Sequence, residues 1–154
     1  MKLIKLMVLV PMMMAFSLAL ANDHMSDDQM EVWDVVAASW EDETNETGAW
    51  PGEYVHEDAH SWSAQWPVPR DATSMAAWSR FNEDNNQTLN YELFPLQVTV
   101  AGDTAVVYYF SVQVTESGDG ERERSTTGLV ETLMQTDAGW KFVGLSSFTQ
   151  GDSD

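Results

Sequence analysis

The sequence predicts an α+β domain in which a curved antiparallel sheet wraps around N-terminal helices to form a cone. Apolar residues first recur at three- and four-residue intervals, over residues 26–44 and again over 71–81, which is the period of a helix. From Leu89 onwards the period changes to two, and long alternating segments are separated by short turns rich in glycine and aspartate. Helices followed by antiparallel strands are typical of one sheet covering a layer of helices.

The first helix is predicted to begin at Ser26. Gln29 follows at the spacing of a capping box, and Asp27 and Asp28 place negative charge in the first turn, where the helix dipole favours it. One face stays apolar to about residue 44, which predicts that this face packs on the sheet. That face comprises Met30, Trp33, Val36, Ala37 and Trp40.

The middle of the chain contains the breaks between elements. Glycine and proline residues between 48 and 52 end the first helical pattern. Residues 54–60 are predicted to form a short helix or a loop that leads into an aromatic strand over residues 61–66. A second helix is expected to begin at Asp71 or Thr73, since both residue types are suitable N-caps. Its apolar face comprises Met75, Trp78 and Phe81.

A proline marks a change of register in the first long strand. Before Pro95 the apolar residues have odd numbers, from Leu89 to Leu93, and after it they have even numbers, from Leu96 to Val100. Because a one-residue insertion exchanges the two faces of a strand, this reversal predicts a bulge or a bend at the proline. The remaining strands are predicted over residues 104–116, 122–135 and 140–148.

The composition excludes several classes of protein. Asp and Glu number 25 against 7 Lys and Arg in a chain of 154 residues, which gives a net charge of −18. So acidic a surface repels phosphate backbones and anionic lipids, and we expect neither nucleic acid nor a membrane as a partner. The absence of cysteine excludes disulfides, thiolate metal sites and a cysteine nucleophile. We expect no cofactor, because the chain has no glycine-rich phosphate loop.

The N-terminus has the three parts of an export signal. Lys2 and Lys5 form a basic segment, residues 6–18 form an apolar one, and Ala19-Leu20-Ala21 is a small-residue cleavage site. A retained membrane anchor is the alternative. It is disfavoured because Pro11 interrupts the apolar stretch, which falls short of the roughly 20 residues that span a bilayer.

This signal predicts the organisation of the whole chain. We expect residues 1–21 to be removed as a signal peptide, leaving a single domain over residues 22–148 and a flexible tail over 149–154. The mature protein is then expected in the periplasm or outside the cell. Lipid anchoring is disfavoured because a lipobox requires cysteine.

The sequence resembles the SnoaL-like proteins of the nuclear-transport-factor-2-like superfamily over residues 25–148. The resemblance implies a cystatin-like cone with an internal pocket. It does not imply one function, because the family hosts isomerases, cyclases, dehydratases, hydrolases and non-enzymatic binding or assembly modules. The segments that carry it, in chain order, are the tryptophan-bearing first helix, Tyr54-x-His56-x-Asp58-x-x-x-Trp62, the helix with Trp78, Val98-x-Val100 after a proline, Gly102-Asp103-Thr104-Ala105-x-Val107, Thr127-Gly128-Leu129, and Asp137-x-Gly139-Trp140-Lys141-Phe142-Val143.

The densest polar cluster surrounds His56 and Asp58. If the segment were extended, His56, Asp58 and His60 would lie on one face and would suit a divalent transition metal, although we assign no metal on spacing alone. The resemblance implies instead that His56 and Asp58 lie at the pocket mouth for acid–base work, while Tyr54 and Trp62 line the pocket. The structural alternative is that Asp58 caps a turn and His56 packs on the sheet edge.

Glu131 is the second candidate for chemistry. It lies between Leu129 and Leu133 in an otherwise apolar row, so its carboxylate either points into a pocket or lies on an exposed edge, because burying an unpaired charge is costly. In a catalytic interpretation Asp58 or Glu131 is the base, and His56 or Tyr109 is the acid or oxyanion donor.

Seven tryptophans offer surfaces for a ligand. Trp33, Trp40 and Trp78 recur at helical spacing and are expected in the core. Trp50, Trp62 and Trp66 remain as candidates. The predicted ligand-binding residues are two of these tryptophans, Trp62 and Trp66, together with Tyr54 and Tyr91.

Three functions follow from these observations. The first is an exported module that binds a small, mainly apolar molecule in the cone. The second is an isomerase, hydratase or hydrolase of the same fold that uses acid–base residues in the pocket. The third is an assembly module, since an open sheet face can pair with a second copy to form a homodimer.

Overall fold

The computed structural model describes residues 25–64 and 66–149. The predicted signal peptide over residues 1–21 and residues 150–154 of the predicted tail lie outside these ranges, whereas Thr149, the first residue of that tail, ends the last strand. Of the helices within them, none combines the length and hydropathy of a membrane span. The elements in chain order are α1 (Asp27–Thr44), β1 (Val55–Ser63), β2 (Arg70–Asp71), α2 (Ala72–Asn85), β3 (Asn86–Ala101), β4 (Thr104–Ser117), β5 (Arg122–Thr136) and β6 (Gly139–Thr149).

Helix α1 begins with the predicted capping box. The Ser26 side chain accepts the backbone N–H of Gln29 at 3.4 Å, and the Gln29 side-chain oxygen accepts the backbone N–H of Ser26 at 2.9 Å. The side-chain nitrogen of Gln29, Nε2, also donates a hydrogen bond to the Val98 carbonyl oxygen at 2.7 Å. One side chain therefore both caps α1 and ties it to β3.

The six strands form one curved, open sheet in the order β2-β1-β6-β5-β4-β3. All neighbours are antiparallel except β1 and β6, which run parallel. The β3–β4 register shifts between Pro95 and Gln97, which confirms the bulge that the change of apolar register predicted. The sheet and the two helices confirm the predicted α+β cone.

The core lies between α1 and the inner face of the sheet. Val32 and Val36 of α1 are fully buried, as is Val107 of β4. The Trp33 ring meets the Tyr109 ring edge-on, with 5.6 Å between their centroids. Burial of this contiguous apolar surface is the main term that holds helix to sheet.

The region before α2 differs from the sequence prediction. Residues 54–60 were expected to form a short helix or a loop, but β1 already begins at Val55 and ends at Ser63. The parallel partner β6 supplies backbone hydrogen bonds that local sequence cannot reveal, and β1 takes an irregular register against it between Val55 and His60. Asp71 caps α2 as predicted, and its side chain accepts the backbone N–H of Ser74 at 2.8 Å.

Candidate functional site

A cleft with two arms opens between the helices and the inner face of the sheet. The apolar arm has a volume of about 190 Å³ and the polar arm about 340 Å³. The two arms share the side chains that lie between them. The shared side chains are Trp40, Glu43, Trp78, Leu129 and Ser147.

The apolar arm is walled by indole rings. Trp62 and Trp78 are 53% and 45% exposed, so they border the opening to solvent. The Arg70 guanidinium lies 3.6 Å from the centre of the Trp66 ring and 4.6 Å from that of Trp78, in cation–π contact with both. The tryptophans of this arm are Trp40, Trp50, Trp62, Trp66 and Trp78.

Glu131 is the buried carboxyl group of this arm. It lies on β5 in the middle of the sheet and is only 5% exposed, so it occupies a pocket and not an exposed edge. Its Oε2 atom has no hydrogen-bond partner within the described residues. Burial raises the pKa of Glu131 to about 8, the neighbouring Tyr109 hydroxyl acts in the opposite direction, and the charge of Glu43 adds to the rise. The group is therefore mostly protonated at neutral pH.

Glu43 joins the two arms from the end of α1. Burial raises its pKa to about 7, and the nearby charge of Glu83 contributes to the rise. Glu83 lies on α2 and accepts a hydrogen bond from the Ser79 hydroxyl at 3.1 Å. The cleft thus holds two carboxyl groups, Glu43 and Glu131, that release their protons far above the usual range for glutamate.

Tyr109 lies behind Glu131 and not in the lining of the cleft. Its hydroxyl accepts the Trp40 indole N–H at 2.8 Å, and burial raises its pKa well above the usual value. Tyr109 lies close enough to Glu131 to influence its pKa and does not itself line the cleft. The structure brings together two of the four predicted catalytic residues, Glu131 and Tyr109.

His56 and Asp58 lie elsewhere and line neither arm. They belong to the first half of β1, whereas Ser61 and Trp62 of its second half line the apolar arm. The backbone N–H of Asp58 donates to His56 Nδ1 at 3.1 Å. The Asp58 side chain is 90% exposed. Their expected position at the pocket mouth is therefore wrong, and a catalytic role for either stays a prediction.

The metal interpretation of residues 56–60 lacks the required geometry. Their sequence, His-Glu-Asp-Ala-His, also matches the HExxH spacing, which brings two imidazoles together when it lies on a helix. Here the segment belongs to strand β1. Within residues 25–64 and 66–149, no three His, Asp or Glu side chains are arranged to hold a metal ion.

The predicted ligand-binding residues divide in two. Trp62 and Trp66 line the apolar arm. Tyr54 does not line this arm, because its hydroxyl donates a hydrogen bond to the Asp42 carboxylate. Tyr91 does not either, because it stacks on Trp40 with 5.7 Å between ring centroids.

Several residues of the cleft were not predicted from the sequence. Trp78 was expected in the core but borders the opening, because α2 packs on β1 and β2 at the end of the cone. Glu43 is not among the residues that the sequence predicted, although it lies four residues after Ser39 and seven after Val36, which are both buried. That spacing places Glu43 on the inward face of α1. It is the sequence pattern from which its position in the cleft could have been predicted.

Comparison with known proteins supports the fold seen here. A family model described as a SnoaL-like domain matches residues 48–148, more than half of the chain. None of the curated proteins compared with the chain matches it.

Solved structures match over most of the chain. A ketosteroid isomerase-like protein from Erwinia carotovora atroseptica has a TM-score of 0.71 at 9% identity, covering 82% of this chain and 99% of its own. An NTF2-like protein with a cystatin-like fold from Novosphingobium aromaticivorans has a TM-score of 0.64 at 20% identity, covering 86% and 88%. The CaMKII hub of S. rosetta has a TM-score of 0.64 at 17% identity, covering 82% and 99%. The chain therefore belongs to the SnoaL-like domain family, with an NTF2-like fold.

Proposed function

We propose that this protein binds a small, mainly apolar molecule in the apolar arm of its cleft. The observation that carries the proposal is the unpartnered Oε2 of Glu131 at the wall of an indole-lined cavity. Buried polar atoms are ordinarily hydrogen-bonded, so a ligand with one polar group would complete the site. A cavity of about 150 Å³ accepts benzene. The apolar arm, at about 190 Å³, therefore suits a molecule of one substituted ring.

A thermal-shift screen against uncharged aromatic and terpenoid alcohols tests this proposal. Ser61→Leu fills the apolar arm from β1, where the Ser61 hydroxyl has no partner among the described residues. Ser74→Leu makes the same change at an exposed position of α2 and serves as the control. We expect hits that stabilise the wild type and Ser74→Leu but not Ser61→Leu. Equal stabilisation of all three proteins would contradict binding in this arm.

We also propose that the protein is exported. The support is the basic, apolar and small-residue succession that ends at Ala21. Expression of the full chain in a bacterium, followed by fractionation and N-terminal sequencing, tests it. The expected product begins at Asn22 in the periplasm or the medium, and an uncleaved chain in the cytoplasm would contradict export.

An acid–base enzyme is the second candidate function. It is favoured by the raised pKa of Glu131, which keeps a carboxyl group protonated at the wall of the apolar arm at neutral pH. Such a group is suited to donate a proton to a ligand. In this candidate function Glu131, and not Tyr109, is therefore the acid, and Tyr109 lies close to it.

Exchange of hydrogen for deuterium separates the enzyme from the binding module. A hit from the screen is incubated with the protein in D₂O and analysed by mass spectrometry. An enzyme that transfers protons incorporates carbon-bound deuterium or converts the hit, and Glu131→Gln abolishes this while binding persists. Recovery of the unchanged, undeuterated hit would leave binding as the function.

We propose in addition that two copies pair through the outer face of the sheet. Phe94, Phe110, Gly128 and Phe148 are cross-strand partners in one row over four strands. Phe94 and Phe148 are 45% and 50% exposed, and Tyr108 beside them is 42% exposed. A contiguous exposed apolar patch of this kind marks an interaction site, and a second copy offers the same surface.

Light scattering after size-exclusion chromatography tests the pairing. We expect the wild type to be a dimer and the double variant Phe94→Glu/Tyr108→Glu to be a monomer. Val68→Glu changes another exposed apolar residue, outside this face, and is expected to leave the dimer intact. A monomeric wild type would contradict the proposal.

A further inference from the structure

The polar arm carries negative charge without a compensating cation. Glu43, Glu46 and Glu83 line it, and among the described residues its lining contains no Lys, Arg or His. The charge of Glu83 adds to the effect of burial in raising the pKa of Glu43. A positively charged group in this arm would relieve that repulsion.

Unpartnered buried polar atoms in the cleft favour a ligand that hydrogen-bonds to them. The Ser111 hydroxyl of the polar arm is fully buried, and Glu131 of the apolar arm is 5% exposed. Within the described residues, neither Ser111 Oγ nor Glu131 Oε2 has a hydrogen-bond partner. Ser111 Oγ lies in the polar arm and can accept a hydrogen bond, and an ammonium group only donates them. Glu131 Oε2 lies in the apolar arm and is left to a polar atom on the body of the ligand.

Aromatic surface adds to the preference for an organic cation. Trp40 and Trp78 line both arms, and indole faces attract cations. The Arg70 guanidinium, 4.6 Å from the Trp78 ring centre, already uses one such surface. Arg70 lines the apolar arm only, so it does not neutralise the three glutamates of the polar arm.

We propose that the ligand is an amine, whose ammonium group lies in the polar arm among Glu43, Glu46 and Glu83 while its apolar body fills the apolar arm. This proposal rests on small-molecule binding by the cleft and names the chemical class of the ligand. A metal ion is a poorer occupant, because the described part of the chain has no three acidic or histidine side chains arranged to hold one. An indole wall also contributes nothing to metal coordination.

Three probes of matched shape test the charge preference by isothermal titration calorimetry. They are 2-phenylethylamine, 2-phenylethanol and 3-phenylpropionate, all at about pH 7.5 in roughly 0.15 M NaCl to screen distant charges. We expect the amine to bind at least ten-fold more tightly than the alcohol, and the carboxylate to bind more weakly than either. Tighter binding of the carboxylate would overturn the proposal in favour of an anion held by Arg70.

Paired variants distinguish the polar arm from the acidic protein as a whole. Glu46→Gln/Glu83→Gln is expected to weaken amine binding at least five-fold and to change alcohol binding less than two-fold. Glu121→Gln/Glu123→Gln removes the same charge from two exposed positions, one just before β5 and one at its start. This control is expected to leave amine affinity within two-fold of the wild type. If both double variants lost the same amine affinity, the preference would come from the net charge of the protein. That result would overturn the proposal that the ammonium group binds in the polar arm.

The outcomes also separate this proposal from the one on which it rests. If the alcohol binds as tightly as the amine, the amine assignment fails and the cleft remains a binding site. If neither the amine nor the alcohol binds, both proposals fail. The comparison of the three probes needs only the wild-type protein. It therefore tests the amine assignment even if a variant fails to fold.

Discussion

The indole nitrogen of Trp40 donates a hydrogen bond to the hydroxyl of Tyr109, with 2.8 Å between the two atoms. This bond joins the cleft-facing end of α1 to β4. Tyr109 also lies close enough to Glu131 to influence its pKa, so the hydroxyl lies between a wall of the cleft and its buried acid. The proposed site therefore depends on one phenolic oxygen that does not line it.

Tyr109→Phe removes this oxygen and keeps the ring. We expect the free energy of unfolding to fall by about 1–3 kcal/mol, because the Trp40 N–H loses its hydrogen-bond acceptor. Urea unfolding at pH 6 measures it. Tyr91→Phe is the matched control, since Tyr91 contacts Trp40 through its ring, and a loss below about 0.5 kcal/mol is expected there. Equal losses in the two variants would show that the hydroxyl of Tyr109 has no special role.

Glu131 makes stability depend on pH. Its pKa is about 8 in the folded protein, against an ordinary value of 4.5 for a glutamate in water, so the folded state holds the proton more tightly. The stabilisation is fully present below pH 4.5 and is lost as the pH rises through about 8, by roughly 3–5 kcal/mol. Glu131→Gln cannot ionise, so it should gain stability relative to the wild type between about pH 5 and pH 8.5. Urea unfolding at both pH values measures this, and identical pH slopes would contradict burial of the acid.

Asp58→Asn tests the sequence-based site against the observed cleft. Asp58 is exposed and lies outside both arms, so the affinity for a cleft ligand should stay within two-fold of the wild type. Titration with a hit from the thermal-shift screen measures it. A loss of binding would restore Asp58 to the functional site.

Gln29 anchors α1 through two contacts. Gln29→Ala loses both the capping contact with Ser26 and the hydrogen bond to the Val98 carbonyl, whereas Ser26→Ala loses only the cap. We expect losses of about 1–2 kcal/mol for Gln29→Ala and about 1 kcal/mol for Ser26→Ala in chemical unfolding. If Ser26→Ala lowered the free energy of unfolding more than Gln29→Ala does, the hydrogen bond from Gln29 to the Val98 carbonyl would contribute little to stability.

Local patterns predicted the elements of this fold well. The Ser26 cap, the Asp71 cap and the Pro95 bulge each depend on residues close together in sequence, and all three were predicted. The start of β1 was not predicted, because its pairing partner β6 lies more than eighty residues later. Short-range pattern holds no information about such a partner.

The site was harder to predict than the fold for the same reason. Glu131 was identified from a charge in an apolar row, which is a local signal. The polar cluster at His56 was a stronger local signal, but it lies in the first half of β1, and only the second half of that strand reaches the cleft. The proximity of Glu43 to Glu83 joins α1 to α2 and depends on tertiary packing alone.

A crystal structure of the protein soaked with its strongest thermal-shift hit is the decisive experiment for ligand binding in the cleft. We expect electron density for the hit in the apolar arm, with a polar atom within hydrogen-bond distance of Glu131 Oε2 and the apolar body against Trp62 and Trp78. Density for the hit only on the outer face of the sheet, or an apolar arm that holds water alone, would refute binding in the cleft.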